Sequence, residues 1–128
     1  MTNRVYKVGG LFSGVGGIEL GFSIENKFSI AWGTDIDRHA SETYRANFKH
    51  KFIETDINHL KGSDLSEVDV LVGGFPCQAF SVAGYRKGFE DDRGNIFFQI
   101  IRIIRELPRK PRVLLLENVK NLATHDKN

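Results

Sequence analysis

Short apolar runs alternate along this chain with segments in which apolar residues recur every three or four positions. The strand-like runs cover residues 5–12, 28–33, 52–53, 68–73 and 113–116, and the helical segments cover residues 17–27, 37–47 and 96–107. Strands that alternate with helices of about ten residues are typical of βαβ units, whose strands form a mostly parallel sheet. The sequence therefore predicts an α/β fold, and 128 residues suffice for one domain of ordinary size.

Composition excludes several other kinds of protein. Hydrophobic residues make up 41% of the chain and charged residues 27%, as in globular domains and unlike disordered segments or coiled coils. No apolar run approaches the roughly 18 residues that span a bilayer, and a net charge of +2 is too small for a polybasic nucleic-acid binder. The single cysteine excludes an intrachain disulfide and a multi-cysteine zinc site, so we predict no metal and a reducing, cytoplasmic setting.

Glycine and polar residues follow the strand-like runs at the points where those runs end. In a parallel sheet the carboxyl ends of the strands lie at one edge, and ligands bind beyond that edge. The loops that would meet there contain Gly14, Gly16, Gly17, Asp35, Asp56, Cys77 and Glu117. The sequence therefore predicts one composite site, built from five loops.

The first two of these loops favour a nucleoside ligand. The glycine turn at 12–17 lets the backbone approach a ligand closely, but Glu19 stands where the dinucleotide fingerprint requires its third glycine. Asp35 follows the second strand at the position from which an acid binds a ribose diol, and Asp56 is placed to accept from an adenine amino group. The alternative is a structural turn with both acids acting as caps, as we expect of Asp37 at the next helix. Together the two loops favour an adenosine-type ligand without a required pyrophosphate.

The chemistry-bearing residues are Cys77 and Glu117. Free cysteines are usually small buried hydrophobes, but Cys77 lies in a polar loop and follows Pro76, which stiffens the backbone. A thiol with an ordinary pKa near ~8.5 is only slightly ionised at neutral pH, yet its thiolate is very nucleophilic. Glu117 follows four apolar residues, where a carboxylate needs either hydrogen bonds or a raised pKa. A raised pKa would suit a proton donor, and the alternative is a structural carboxylate.

The motifs and their order resemble those of the DNA cytosine-5 methyltransferases of bacterial restriction–modification systems. The Pro-Cys-Gln and Glu-Asn-Val sequences together are highly specific, and the resemblance covers essentially the whole chain. It implies a Rossmann-like, S-adenosylmethionine-dependent methyltransferase fold with a mostly parallel sheet, incomplete in this chain. The segments that carry it are LFSGVGG at 11–17, DID at 35–37, TY at 43–44, NF at 47–48, TDI at 55–57, GFPCQAFS at 74–81, GFEDDRGNIFF at 88–98 and ENVKN at 117–121.

The resemblance implies a binding site for S-adenosylmethionine, which leaves as S-adenosylhomocysteine. Asp35 would bind the ribose, and Ile36 would pack on a face of the adenine. The loop that would hold the cofactor comprises Phe12, Ser13, Gly14, Gly16 and Gly17. The remaining contacts would come from Asp56 and Ile57 at the adenine edge and from Pro76 and Ile96 beside the methionine portion.

For catalysis, the resemblance implies that Cys77 attacks carbon 6 of a cytosine flipped out of double-stranded DNA. Glu117 would bind and protonate ring N3 of that cytosine, and carbon 5 would then take the methyl group. Segment 78–95 would be a mobile loop that closes over the DNA, with basic residues for the phosphates.

Three residues differ from the family pattern. Gly10 stands where many members have an acid, Asp35 where many have Glu, and Ile36 where an aromatic is frequent. Family members also continue well past the Glu-Asn-Val segment, into a target-recognition region and further strands. We therefore expect residues 1–128 to be the N-terminal portion of the catalytic domain, completed by a C-terminal half or a second subunit.

Two other functions remain compatible with the residues. The chain would be a non-catalytic subunit or remnant that binds S-adenosylmethionine or a partner, although intact Cys77 and Glu117 count against decay. Alternatively it would be a Rossmann-like enzyme with a nicotinamide cofactor, which Glu19 and the motif set disfavour. Preferential binding of NAD or of S-adenosylmethionine discriminates between the last function and the others.

Overall fold

The computed structural model describes residues 3–76 and 95–118. Its elements follow one another as strands and helices in alternation, with a short 3₁₀ turn at Gly62–Asp64. In chain order they are β1 (Tyr6–Leu11), α1 (Gly17–Ser23), β2 (Phe28–Asp35), α2 (Arg38–Asn47), β3 (Lys51–Glu54), β4 (Val70–Gly74), α3 (Asn95–Glu106) and β5 (Val113–Glu117).

The five strands form one sheet in the order β3-β2-β1-β4-β5, and every pair of neighbours is parallel. The predicted α/β fold with a mostly parallel sheet is therefore confirmed. After β3 the chain crosses over β2 and β1 to form β4 on the other side of β1. The switch point of the sheet therefore lies between the neighbouring strands β1 and β4, and α/β proteins bind ligands at such points. The carboxyl ends of all five strands lie along one edge, as the loop pattern predicted.

Two helices form as their sequence signals predict. Asp37 caps α2, because its Oδ1 accepts a hydrogen bond from the Ala40 backbone N–H at 2.7 Å. Tyr44, on the predicted apolar face of α2, is completely buried. The apolar face of α3 places Ile100 and Ile103 in the larger core cluster, on the sheet side opposite α1.

Helix α1 is shorter than predicted, because it ends at Ser23 and not at residue 27. The hydroxyl of Ser23 donates to the Leu20 carbonyl at 2.7 Å, and the chain then turns to begin β2 at Phe28. Ile24 and Phe28 have the four-residue spacing of one helix face, but Ile24 is 74% exposed. Phe28 instead contacts the ring of Phe22 edge-on, with ring centroids 4.9 Å apart. The contact between Phe22 and Phe28 requires a turn between them, so the helix does not continue to residue 27 as its spacing predicted.

Strand β5 forms where predicted, but it is not the buried strand that its apolar sequence suggested. Val113 is 54% exposed, Leu114 47% and Leu115 46%. In the described part of the chain β5 pairs with β4 alone and forms one end of the sheet. If residues 1–128 are the N-terminal portion of a larger domain, as the sequence predicts, exposed apolar surface is expected at this strand.

Among the described helices, none combines the length and apolar character needed to cross a membrane.

Candidate functional site

The glycine loop between β1 and α1 is fastened to the end of β2 by three hydrogen bonds. The Ser13 N–H donates to the Thr34 carbonyl at 2.8 Å, and the Ser13 hydroxyl accepts from the Thr34 N–H at 3.2 Å. The Gly14 N–H donates to Asp35 Oδ2 at 2.7 Å. Phe12 opens the loop in the left-handed region with a φ of 52°, a conformation that costs a non-glycine residue roughly 1–3 kcal/mol and recurs at functional sites.

The three glycines of this loop do different work. A Cβ added to Gly14 or Gly17 would meet no atom within 4 Å, so open space lies beside both residues. A Cβ added to Gly16 would collide with the rings of Phe48 and Tyr44. Gly16 therefore packs against α2, whereas Gly14 and Gly17 leave room for a ligand.

Asp35 serves the loop and remains available to a ligand. Besides Gly14, it accepts the Asp37 N–H at its other oxygen, Oδ1, at 2.8 Å. Each carboxylate oxygen has two lone pairs, so one hydrogen bond at each leaves capacity for a diol. Asp35 is therefore structural and accessible at the same time, because it is only partly buried.

Next to Asp35 lies a cleft of about 170 Å³ at the carboxyl edge of the sheet. Its walls are mainly apolar, with a polar side supplied by threonine, aspartate and asparagine. It brings together six residues predicted for the cofactor, which are Phe12, Ile36, Asp56, Ile57, Pro76 and Ile96. It also contains three residues that sequence reasoning missed, which are Thr34, Thr55 and Asn58. Thr34 and Thr55 directly precede the predicted acids Asp35 and Asp56, and Asn58 follows Asp56 by two positions. This proximity in sequence is the signal that could have identified them.

Asp56 lies two residues beyond the end of β3, where a tight turn begins. Its Oδ1 accepts the Asn58 N–H at 2.8 Å and the Asn58 side-chain amide at 2.9 Å. Its carbonyl accepts the N–H groups of His59 and Leu60. Asp56 therefore caps this turn, as the structural alternative in the sequence analysis predicted, and it also lies in the wall of the cleft.

Arg102, on α3, holds the same turn from behind, and sequence reasoning did not identify it. Its guanidinium donates to the carbonyl of Ile57 at 2.7 Å and to that of Leu60 at 2.9 Å. It also pairs with Glu106 one helical turn later, and Glu106 accepts the Gly62 N–H. No local pattern marks such a residue, because the two carbonyls that it binds lie more than forty positions away.

Glu117 ends β5 beside the end of β4. It is in register with Gly74, and a Cβ on Gly74 would lie only 3.0 Å from Glu117 Oε2. The neighbouring Asn118 donates from its side-chain amide to the Phe75 carbonyl at 3.0 Å. Glu117 is exposed and not buried as its strand position suggested. This pairing brings the Glu-Asn sequence against the Phe-Pro sequence that directly precedes Cys77.

Cys77 and the predicted loop at 78–95 lie, except for residue 95, outside the described residues. Glu117, Asp35 and the cleft residues are nevertheless all at the same edge of the sheet. The described part of the chain contains no group of three or more His, Cys, Asp or Glu residues that could hold a metal ion.

A carboxyl group is buried behind the loop. Glu19, on α1, is 1% exposed, and its Oε2 has no hydrogen-bond partner in the described parts of the chain. Burial raises the pKa of Glu19 to about 7, against hydrogen bonds from Tyr44 and Ser13 that act in the opposite direction. Sequence reasoning noticed Glu19 only as a break in a glycine motif.

Comparison with known families gives one match that spans nearly the whole chain. Residues 6–128 match the sequence model of the family described as C-5 cytosine-specific DNA methylase. A similar protein is the Type II methyltransferase M.Bsp6I of Bacillus sp. (strain RFL6), with 50% identity over 94% of this chain and 38% of the relative. Another is the Type II methyltransferase M1.ScrFI of Lactococcus lactis subsp. cremoris, with 50% identity over 95% of this chain and 31% of the relative. The chain thus spans about a third of the length of these relatives.

Solved structures agree with the sequence comparison. The S. pombe Dnmt2 methyltransferase superimposes with a TM-score of 0.75 and 26% identity, over 94% of this chain and 38% of that one. A DNA modification methyltransferase encoded within an E. coli prophage superimposes with a TM-score of 0.71 and 31% identity, over 91% of this chain and 33% of that one.

Proposed function

Because the chain belongs to the C-5 cytosine-specific DNA methylase family, we propose that it supplies the cofactor site and the catalytic residues of a DNA cytosine-5 methyltransferase. The observation that carries this proposal is the shared edge of the sheet. There the cleft, the Asp35 loop and the Glu117–Asn118 pair lie together, and Asn118 fastens β5 to the backbone two residues before Cys77. A restriction–modification role follows from the relatives' description as Type II methyltransferases.

The cleft fits the nucleoside part of S-adenosylmethionine. Its apolar walls, which include Ile36 and Ile57, suit a flat heteroaromatic ring, and the Asp56 carboxylate suits an amino group at that ring's edge. The open space beside Gly14 lies next to Asp35, where a ribose diol would be bound. When bound, this cofactor supplies an electrophilic methyl group on a positively charged sulfur.

We assign the nucleophilic step to Cys77. Carbon 5 of cytosine is not nucleophilic until carbon 6 is saturated, so the thiolate first forms a bond to carbon 6. The rigid Pro76 and the Asn118 contact to the Phe75 carbonyl fix the backbone of the two residues that precede Cys77. The electron pair displaced from the ring is accommodated as Glu117 donates a proton to ring N3.

The resulting enamine carbon 5 would take the methyl group that S-adenosylmethionine, held by the Asp35 loop and the cleft residues, would supply, and the electrons of the methyl–sulfur bond would leave with the sulfur. Loss of the carbon-5 proton to a base then returns electrons to the ring. That step expels the Cys77 thiolate, while Glu117 recovers the N3 proton. The base must leave the DNA stack to reach these groups, at a cost of a few kcal/mol.

The substrate and partners follow from the same proposal. Double-stranded DNA would bind across the carboxyl edge of the sheet. This chain matches about a third of the length of its relatives. The target-recognition region and the remaining strands would correspond to the other two thirds, in the same chain or in a second subunit. We therefore expect residues 1–128 alone to have little or no methyl transfer activity. Sequence-specific methylation by purified residues 1–128 would contradict that expectation.

Covalent trapping tests the catalytic assignment. The complete protein, incubated with S-adenosylmethionine and DNA that contains 5-fluorocytosine, should form a stable adduct, because fluorine cannot leave carbon 5 as a proton does. Cys77→Ala should abolish the adduct, whereas Leu20→Ala, at an exposed position on α1, should retain it.

Three other outcomes would contradict parts of this proposal. Persistent trapping by Cys77→Ala would remove Cys77 as the nucleophile. Binding of S-adenosylmethionine without any adduct from the wild-type protein would establish the non-catalytic alternative. Binding of NAD in preference to S-adenosylmethionine would revive the nicotinamide-dependent enzyme.

A further inference from the structure

The Glu19 carboxyl group fills the space beside Gly10 of β1, which has no side chain. A Cβ on Gly10 would lie 2.5 Å from Glu19 Oε1 and 2.7 Å from the Ser13 hydroxyl oxygen. The carboxyl group of Glu19, on α1, therefore occupies the space beside Gly10 of β1.

This carboxyl joins the loop to two other elements. Ser13 and Tyr44 both hydrogen-bond to it. The Ser13 hydroxyl, while donating toward Glu19, accepts the Thr34 N–H of β2 at 3.2 Å. The Tyr44 hydroxyl, on α2, also contacts His50 Nε2 at 2.5 Å. A continuous set of hydrogen bonds thus runs from α1 through the loop to β2, and through α2 to His50.

Burial favours the neutral form of Glu19 and outweighs the hydrogen bonds from Tyr44 and Ser13, and the Asp35 carboxylate adds a smaller contribution in the same direction as burial. Burial also raises the pKa of Tyr44 far above its usual range, so Tyr44 stays a neutral donor. Burial also lowers the pKa of His50, which places a neutral imidazole at the end of the set. A buried ionised oxygen without a partner is costly, and Glu19 Oε2 would be such an atom.

We propose that Glu19 is a positioning residue for the cofactor loop: its carboxyl group holds Ser13, and Ser13 holds the loop in the position where Gly14 binds Asp35. Glu19 does not itself line the cleft, so its effect on the ligand passes through Ser13. The loop backbone and Asp35 are the parts that would contact the ribose, so a loop released from Glu19 binds the cofactor less well. This inference rests on the proposed cofactor site.

The test measures binding of S-adenosylhomocysteine to the complete protein by calorimetry, at a temperature where every variant is folded by circular dichroism. Glu19→Leu keeps the bulk of the side chain and removes its hydrogen bonds, and it should weaken binding by about fivefold or more. Glu19→Gln keeps a neutral donor and acceptor and should bind within about threefold of wild type. Glu25→Leu, an exposed acid just after α1, is the matched control.

Each result decides the matter. Binding by folded Glu19→Leu that equals the control, or equal losses in the Leu and Gln variants, would overturn the positioning role. If Glu19→Leu does not fold, Ser13→Ala decides: weaker binding supports the role, and unchanged binding overturns it. A wild-type protein that binds no S-adenosylhomocysteine would overturn the proposed cofactor site itself, and this inference with it.

Discussion

At the residue scale, the site depends on polar groups whose partners are backbone atoms. Asp35 accepts two backbone N–H groups, Asp56 accepts one, and Ser13 both accepts from and donates to β2. Such bonds fix the loops before any ligand arrives, which lowers the entropy that binding must overcome. Glu19 is instead a carboxyl group buried on α1, and burial raises its pKa to about 7.

Because its pKa is raised, Glu19 makes the folded state less stable as the pH rises. The pKa is about 7 in the folded chain and 4.5 as the ordinary value, so between these pH values the folded state holds a proton that the unfolded state has lost. Stability contributed by Glu19 therefore falls as pH rises from 4.5 to 7, by up to roughly 3 kcal/mol. Glu19→Gln, which cannot ionise, should gain stability relative to wild type over this window.

Urea unfolding of both proteins at several pH values between 4 and 8 measures that difference. Because all other groups titrate alike in the two proteins, their contributions cancel. Glu25→Gln is the control, and its difference from wild type should stay constant. A constant difference for Glu19→Gln as well would show that Glu19 is not buried as a neutral acid.

At the element scale, α3 is the support on which the cleft turn rests. Its apolar face packs on the sheet, while Arg102 reaches from its flank to the Ile57 and Leu60 carbonyls. The helix also begins directly after the segment that contains Cys77. The element that carries Ile96 into the cleft therefore also holds the turn that carries Ile57, so α3 connects the two walls of the cleft.

Replacing Arg102 should weaken this support. Arg102→Met keeps the aliphatic stem and the helix propensity but removes the guanidinium, so two carbonyls and the Glu106 carboxylate lose a charged donor. Since hydrogen bonds to charged groups contribute about 1.5–3 kcal/mol, the free energy of unfolding should fall by about 2 kcal/mol. Urea denaturation measures it. Arg105→Met, exposed on the same helix, should change stability by less than about 0.5 kcal/mol, and equal losses in both variants would contradict this role.

At the scale of the whole molecule, one face of the sheet is only partly covered. Phe22 of α1 packs on the β1–β4 part of this face, whereas Val113 and Leu115 of β5 line an open apolar groove of about 540 Å³. Contiguous exposed apolar surface of this kind, beside a strand that is paired on one side alone in the described part of the chain, favours association. This exposure agrees with a chain that spans about a third of its relatives' length.

Residues 1–128 in isolation should therefore self-associate. The weight-average mass in sedimentation experiments should rise with protein concentration, and Leu115→Lys should reduce that rise, because Leu115 lines this groove and a second one beside α1. Leu20→Lys, at an equally exposed leucine on the outer side of α1, should leave association unchanged. A wild-type chain that stays monomeric at all concentrations would contradict this interpretation of the exposed β5 face.

Local signals in the sequence determined the parallel α/β architecture, the cap of α2, the apolar face of α3 and the loops that meet at one edge. These features depend on residue spacing and on backbone groups a few positions apart, so a single sequence contains them. Tertiary structure alone decided where α1 ends, that Glu19 is buried beside Gly10 and Ser13, and that Arg102 holds the turn at the cleft. Those outcomes depend on contacts between distant segments, such as Arg102 with Ile57 or Phe22 with Phe28 across a turn. Whether a side chain is buried, and which partner it meets, is set by packing and not by its neighbours in sequence.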